Sequence, residues 1–568
     1  MIEPGPSVAS AEPLLPRGAS GVAAAILFAL ACLVVVLGWR AFWFLTDDAF
    51  ISFRYISNSV MGLGYVWNAP PFQPVEGYTN FLWLVLLETV WRVAGYEPPA
   101  ACNLIGLGFS LLSLGLTGLM TLSMPLEPAL RRHRVAILGL VLLGTATNRT
   151  FLTWSSSGLE TALFNALVLT WIYGVLFWRA APRARLLGLS ASAALVYLTR
   201  PDGVLLVGAT VLLAALDFRA RRKVREILFG IWPLALVPLH LGWRRALYGE
   251  WLPNSYYAKH AGLWTESGLR YALAFALEYA LWVWLACALA LGVLAVRRLR
   301  SDAPTSWHWE RRAGAGLVLA VLAAHFGYYT LIIGGDHFEY RVYSHLVPLV
   351  FLSLLWMVNA LRLRPGAALA AIAVSVLLSW PVPYTHWLAT RSLSTREQTF
   401  KMRVPVADRW PAPVAWYARL FDRTQFWLIE HFVCVRHQEH KVNLAFVQSL
   451  FPSRERGQQI GSDGYPVMSF PAVGYGSWVL PHVSFLDTHG LNDRFVARNP
   501  IPPGASRAMA HDRQPPPGYL ECFDPNVYLL ERQQVRVTRR RRPLTASGIR
   551  ACEDLWARRL GLQPRDDG

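Results

Sequence analysis

Charged residues are scarce in this chain, 16% of 568, where an ordinary soluble domain carries about 25%. Hydrophobic residues make up 54%, which excludes a single solvated globule. Cysteine is sparse too: six residues are too few and too scattered for a disulfide framework. Cys32 and Cys287 lie inside apolar runs, where each reads as a small buried hydrophobe. Cys434, Cys522 and Cys552 fall in the C-terminal part, and spacing leaves any pairing open. The sequence also lacks a signal-peptide pattern, since its first apolar run, residues 21–45, begins late, is too long and has no small-residue cleavage site. No convincing internal repeat is present, and beyond residue 385 no stretch is long enough to span a bilayer.

What is present is a succession of long apolar runs. Eleven lie near residues 21–45, 103–124, 135–152, 159–178, 186–199, 202–217, 227–247, 271–296, 313–333, 345–361 and 366–384. Twenty-four Trp, within 13% aromatics, suit a protein with many membrane–water boundaries. The net charge of +18 has the sign of a nucleic-acid binder, but the Arg residues cluster between the runs. Groups at 131–134, 179–185, 219–225, 297–300 and 362–364 follow the pattern of cytoplasmic loops. Basicity here reports topology, and no nucleic-acid partner is expected.

With those loops inside, residues 46–102 form one long outer loop. The run 81–93 then cannot span; Glu88 and Arg92 at i, i+4 suit a helix lying in the membrane surface. The expected architecture is an α-helical polytopic module over 19–385 with about eleven spans, each of about 20 residues. A polar, Pro-rich N-terminus, 1–18, reads as disordered. Residues 386–568 read as an extracytoplasmic C-terminal domain of mixed α/β structure, with His431, His437 and His440 assigned to its surface.

The polar outliers gather on the outer face of that topology. Asp47 and Asp48 follow the first span directly; partial burial and mutual repulsion raise carboxylate pKa values, so one is poised as a base. Asp47 is favoured as the base and Asp48 as its positioning partner. Arg54, Tyr55, Trp67, Asn68, Glu76, Tyr78 and Asn80 continue the loop with aromatic faces and amides suited to sugar. Glu160, Asn254, Tyr256, Tyr257, Asp336, Asp487 and Asn492 extend the candidate sugar or acceptor contacts. Lys259, His260 and Arg341 are outward cations that oppose the topological trend and suit an anionic ligand such as a lipid phosphate. Arg200, in a turn with Asp202, either pairs locally or holds that phosphate through its planar donor fork.

The segments TDDAFISFRY, GLGYVWN, VEGYTNFLW, SGLETALF, RPDG, LPNSYYAK, GGDHFEYR and DTHGLNDR occur in this order over roughly residues 40–500. In this they resemble bacterial GT-C membrane glycosyltransferases, on the branch containing mycobacterial arabinofuranosyltransferase B and the related pilin arabinosyltransferases. The resemblance implies a GT-C fold in a bacterial plasma membrane, with an extracytoplasmic active site. It implies a polyprenyl-phosphate sugar donor, decaprenyl- or undecaprenyl-phosphoryl arabinofuranose, a glycan or glycoprotein acceptor, and catalysis by Asp47 or Asp48. His337 and Glu339 depart from the family, which more often has apolar or aromatic residues there. No cofactor is fixed by these residues: the acidic groups can hold a divalent cation or act simply as base and anchor. The rival reading, a transporter or flippase for a lipid-linked saccharide, expects ionisable groups at mid-span, whereas here they lie mainly at one face.

Overall fold

The computed structural model describes residues 18–260, 262–299, 309–400, 403–407 and 409–563. The expected disorder of residues 1–18 falls, apart from Gly18, outside the described residues. Every apolar run coincides with helix. The first helix, Ala19–Ala41, has 23 residues, about 35 Å at about 1.5 Å each, enough for a hydrocarbon core of about 30 Å. Among the described residues, seven helices are long and apolar enough to cross a membrane. Arg134–Ala146 and Thr161–Leu176 are apolar but shorter. This is a multi-pass, predominantly helical membrane protein.

The run at 271–296 is not the single straight span that its composition predicts. It divides into Thr265–Glu278 and Trp282–Arg297, which meet at 108°, with Ala280 in the left-handed region at φ 45°. The cause is polar. Glu278, buried at the bend, lies 2.8 Å from Arg436 and 3.7 Å from Arg149. Both arginines also reach Glu339, at 3.3 and 3.1 Å, and His437 completes the group 3.3 Å from Glu339. Two arginines and two glutamates balance one another in a place almost without solvent. Turning the helix there lets Glu278 meet its partners, because a lone buried charge is far costlier than a bend.

The segment between the first helix and Pro98–Ser123 contains two helices, Asp47–Val60 and Phe81–Ala94. The Glu88–Arg92 pair forms at 2.7 Å. Beyond residue 411, helices Ala412–Glu430 and His437–Leu450 lead into two small sheets. Val467–Phe470 pairs in parallel with Ser484–Asp487 around the crossover helix Val473–Val479. Val527–Leu530 pairs antiparallel with Gln534–Val537. Helix Ala546–Arg559 is tied back by a Cys522–Cys552 disulfide, while Cys434 is free and buried. An apolar core containing Phe50, Phe53, Trp67, Trp83, Trp478 and Phe485 joins the 46–102 segment to this C-terminal part.

Candidate active site

The end of the first helix is pinned before the acidic pair begins. Ser157 N–H donates to the Phe44 carbonyl at 3.0 Å and Thr46 N–H to the Ser157 carbonyl at 3.2 Å. Asp47 and Asp48 then open helix Asp47–Val60, where the first-turn N–H groups favour negative charge. Successive side chains diverge, and the two carboxylates have different surroundings. Asp47 is buried and accepts N–H bonds from Gly474 at 3.0 Å and Tyr475 at 2.8 Å, at the start of the crossover helix. Burial, with repulsion from Asp48, still pushes it up to about 6. Asp48 is half-buried and takes no hydrogen bond or ion pair from another described residue.

Asp48 and Asp336 both lie within electrostatic reach of Lys259, so the three form one charged cluster. Asp336 is bound to Arg341 through 2.8 and 3.3 Å contacts. Burial alone would raise Asp336, but Arg341, with Lys259 and Arg200 nearby, holds it below the usual carboxylate range. Arg200 lies 3.2 Å from Glu160 and 3.3 Å from Asp202, and donates to the Tyr329 hydroxyl at 2.8 Å. Asn80 joins this group, donating to Glu160 at 3.1 Å and to Ser52 at 3.2 Å. Lys259 makes no ion pair with a described residue. Although it keeps exposed surface, withdrawal from bulk water and the like charge of Arg341 lower its amine. A carboxylate and an amine, both without a close partner among the described residues, therefore belong to one cluster, with Arg341 and Arg200 in electrostatic reach of the amine.

Several sequence candidates have their polar groups engaged within the protein. Arg54 is a fully buried tie, donating to the carbonyls of Trp67, Ser477, Leu480, Pro481 and Val483 at 2.7–3.2 Å. Tyr55 binds the Val75 carbonyl and Asn492; Trp67 and Asn68 both donate to the Phe485 carbonyl. Asn254 donates to the carbonyls of Gly490, Leu491 and Asp493. Asp487 accepts from the backbone of His489, Gly490 and Asn492 and from the Asn492 amide. These side chains spend their polar groups joining the 46–102 segment, the 252–259 turn and the C-terminal part. Glu76 pairs with Arg244 at 2.6 Å, and burial nonetheless pushes Glu76 up to about 7. Tyr78 meets the Tyr248 hydroxyl at 3.0 Å. Tyr256 is exposed and stacks on His260 at 5.4 Å, while Arg498 covers Tyr257 at 3.9 Å. His260 thus turns to Tyr256 rather than to the cations around Lys259.

The expectation of surface histidines also fails: His437 and His440 are buried, and His431 stacks on Trp427 at 4.0 Å. Sequence reading missed His511, which lies within electrostatic reach of Asp48, and the Arg149–Glu278–Glu339–Arg436 network. Charges inside the apolar runs at 149 and 278 were the available signal for the network; His511 had none. Among the described residues, no group of three or more His, Cys, Asp or Glu is placed to hold a metal ion.

A scan against models of known protein families matches none. The chain is 28% identical over 304 residues to the terminal β-(1→2)-arabinofuranosyltransferase of Mycobacterium tuberculosis (strain ATCC 25618 / H37Rv). The resemblance to GT-C membrane glycosyltransferases is borne out. The match takes in 49% of this chain and 45% of that relative, so the chain spans less than half of the relative's length. Among solved structures, ArnT from Cupriavidus metallidurans bound to undecaprenyl phosphate covers 84% of this chain and 87% of its own. The identity there is 15% and the TM-score 0.48.

Proposed function

We propose that this chain is a membrane glycosyltransferase that moves a sugar, D-arabinofuranose, from a polyprenyl-phosphate donor to a hydroxyl of a cell-envelope glycan or surface protein. The observation that carries the reading is the cluster in which the Asp48 carboxylate and Lys259 amine, neither paired with a described residue, lie in electrostatic reach of one another with Arg341 and Arg200 close to the amine. Asp48 accepts the proton of the acceptor hydroxyl as its oxygen bonds to the sugar's anomeric carbon. The bond from that carbon to the phosphate oxygen breaks, and the polyprenyl phosphate leaves with the electron pair. Lys259 and Arg341 stabilise the charge that develops on the departing phosphate. Asp47 positions Asp48 by fixing the start of their shared helix to the C-terminal part.

The name of the mycobacterial relative supports arabinofuranose as the sugar. The Arg-rich loops support an extracytoplasmic site, and the mycobacterial relative supports a bacterial inner-membrane location. The test is to give the purified, lipid-reconstituted protein synthetic decaprenyl-phosphoryl arabinofuranose and an arabinofuranosyl oligosaccharide. Mass analysis should show the acceptor heavier by one pentose and an equal amount of released decaprenyl phosphate. Translocation of the lipid across the bilayer without sugar transfer would overturn the reading in favour of a flippase.

A further inference from the structure

The mechanism leaves two half-buried histidines beside the charged cluster unused. In His337, Nδ1 lies 2.8 Å from the Phe432 carbonyl; in His511, Nδ1 lies 2.8 Å from the Met509 carbonyl. A carbonyl oxygen only accepts, so each Nδ1 carries the proton, and each neutral ring leaves Nε2 as a bare lone pair. Withdrawal from water keeps both rings neutral, bringing His337 down to about 4 and His511 to about 3. Neither Nε2 is bonded to a described residue, and neither is a buried orphan.

The two rings come from different parts of the chain and meet with centroids 5.1 Å apart. His337 lies within electrostatic reach of Asp336, Lys259 and Arg341, and His511 within reach of Asp48. His440 packs behind His337 at 5.1 Å and His489 against His511 at 4.6 Å, which fixes both ring planes. The pair therefore links the Lys259–Arg341 cations, through His337, to the Asp48 carboxylate, through His511.

The rest of the cluster donates hydrogen bonds through cations or accepts them through anions. A further carboxylate would hold a hydroxyl firmly but would also repel a departing phosphate. A neutral imidazole accepts from a hydroxyl and adds no charge. We propose that His337 and His511 form a hydroxyl-binding subsite, their Nε2 lone pairs accepting hydrogen bonds from a sugar bound beside Asp48. This rests on the glycosyltransferase reading. Two sources supply the same chemistry, the sugar of the lipid donor and the sugar of the acceptor.

The test uses the full chain in lipid nanodiscs with His337→Phe, His511→Phe, His337→Gln and His511→Gln. Phe keeps a flat ring and removes the lone pair, while Gln keeps an acceptor at similar reach. Each single Phe variant should raise KM for one sugar about tenfold, the size of one lost hydrogen bond, with kcat within about twofold. Gln should recover part of that loss. A KM effect confined to decaprenyl-phosphoryl arabinofuranose assigns the subsite to the donor, and one confined to the arabinofuranosyl oligosaccharide assigns it to the acceptor. Calorimetric binding of each sugar is measured in parallel, so the subsite stays testable if the wild type transfers nothing. In that case the glycosyltransferase reading fails, while weaker binding by the Phe variants still supports the subsite. Wild-type affinity for both sugars in all four variants overturns it, as does a loss confined to thermal stability.

Discussion

The carboxylate of Asp47 and the backbone N–H of Gly474, 427 positions apart in the chain, lie 3.0 Å from each other. Position 474 has no room for a side chain: a Cβ there would stand 1.9 Å from the Asp47 carbonyl oxygen. Gly474→Ala should force the crossover helix off Asp47. A stability loss of about 1–3 kcal/mol is expected, the cost of leaving a buried polar group unsatisfied. Thermal melting of the purified protein, with turnover assayed alongside, checks this.

Asp47 also gives a pH signature. Its folded value of about 6 lies above its ordinary value of 3.8, so between these pH values the folded state binds more protons than the unfolded one. Its contribution to stability is full below about pH 4 and is lost as pH rises through about 6, at most about 3 kcal/mol. Asp47→Asn cannot ionise. The melting temperature of wild type minus that of Asp47→Asn should therefore fall between pH 4 and 6; a flat or rising difference contradicts the assignment.

The buried network at the helix bend should respond to charge balance. Glu339 faces both Arg149 and Arg436, so Glu339→Gln leaves one positive charge uncompensated. The expected cost is about 3–5 kcal/mol, seen as a lower melting temperature. Adding Arg149→Met restores the count and should recover part of the loss.

How much of this could be read from the sequence depended on the kind of signal. Runs of apolar residues located every helix that is long and apolar enough to cross a membrane, because a bilayer demands about 20 apolar residues in a row. The break after Glu278 escaped, since its cause lies in Arg436 and Arg149, far away in sequence. Lys259, His260 and Arg341 stood out because, expected to face outward, they opposed the charge pattern; the structure groups Lys259 and Arg341 with Arg200, while His260 stacks on Tyr256. For Arg54, Trp67 and Asn68 residue type alone is ambiguous, since residue types that hold sugars also hold backbone carbonyls. Only their partners, at residues 477–485, distinguish the two roles.

Lys259 should matter for ligand and not for fold. It makes no ion pair with a described residue, so Lys259→Ala should leave the melting temperature nearly unchanged. A charge-assisted hydrogen bond contributes about 1.5–3 kcal/mol, so affinity for a polyprenyl phosphate should weaken by about tenfold to a hundredfold. Equilibrium binding of decaprenyl phosphate measures it, and unchanged affinity removes Lys259 from the phosphate site.

The most direct measurement is single-turnover transfer from decaprenyl-phosphoryl arabinofuranose by Asp48→Asn. The substitution keeps shape and removes the carboxylate that no described neighbour engages. Loss of a general base costs on the order of 10²–10⁴-fold in rate. The account predicts a fall of that size, with donor affinity and melting temperature retained and a smaller fall for Asp47→Asn. Transfer by Asp48→Asn at the wild-type rate would contradict it.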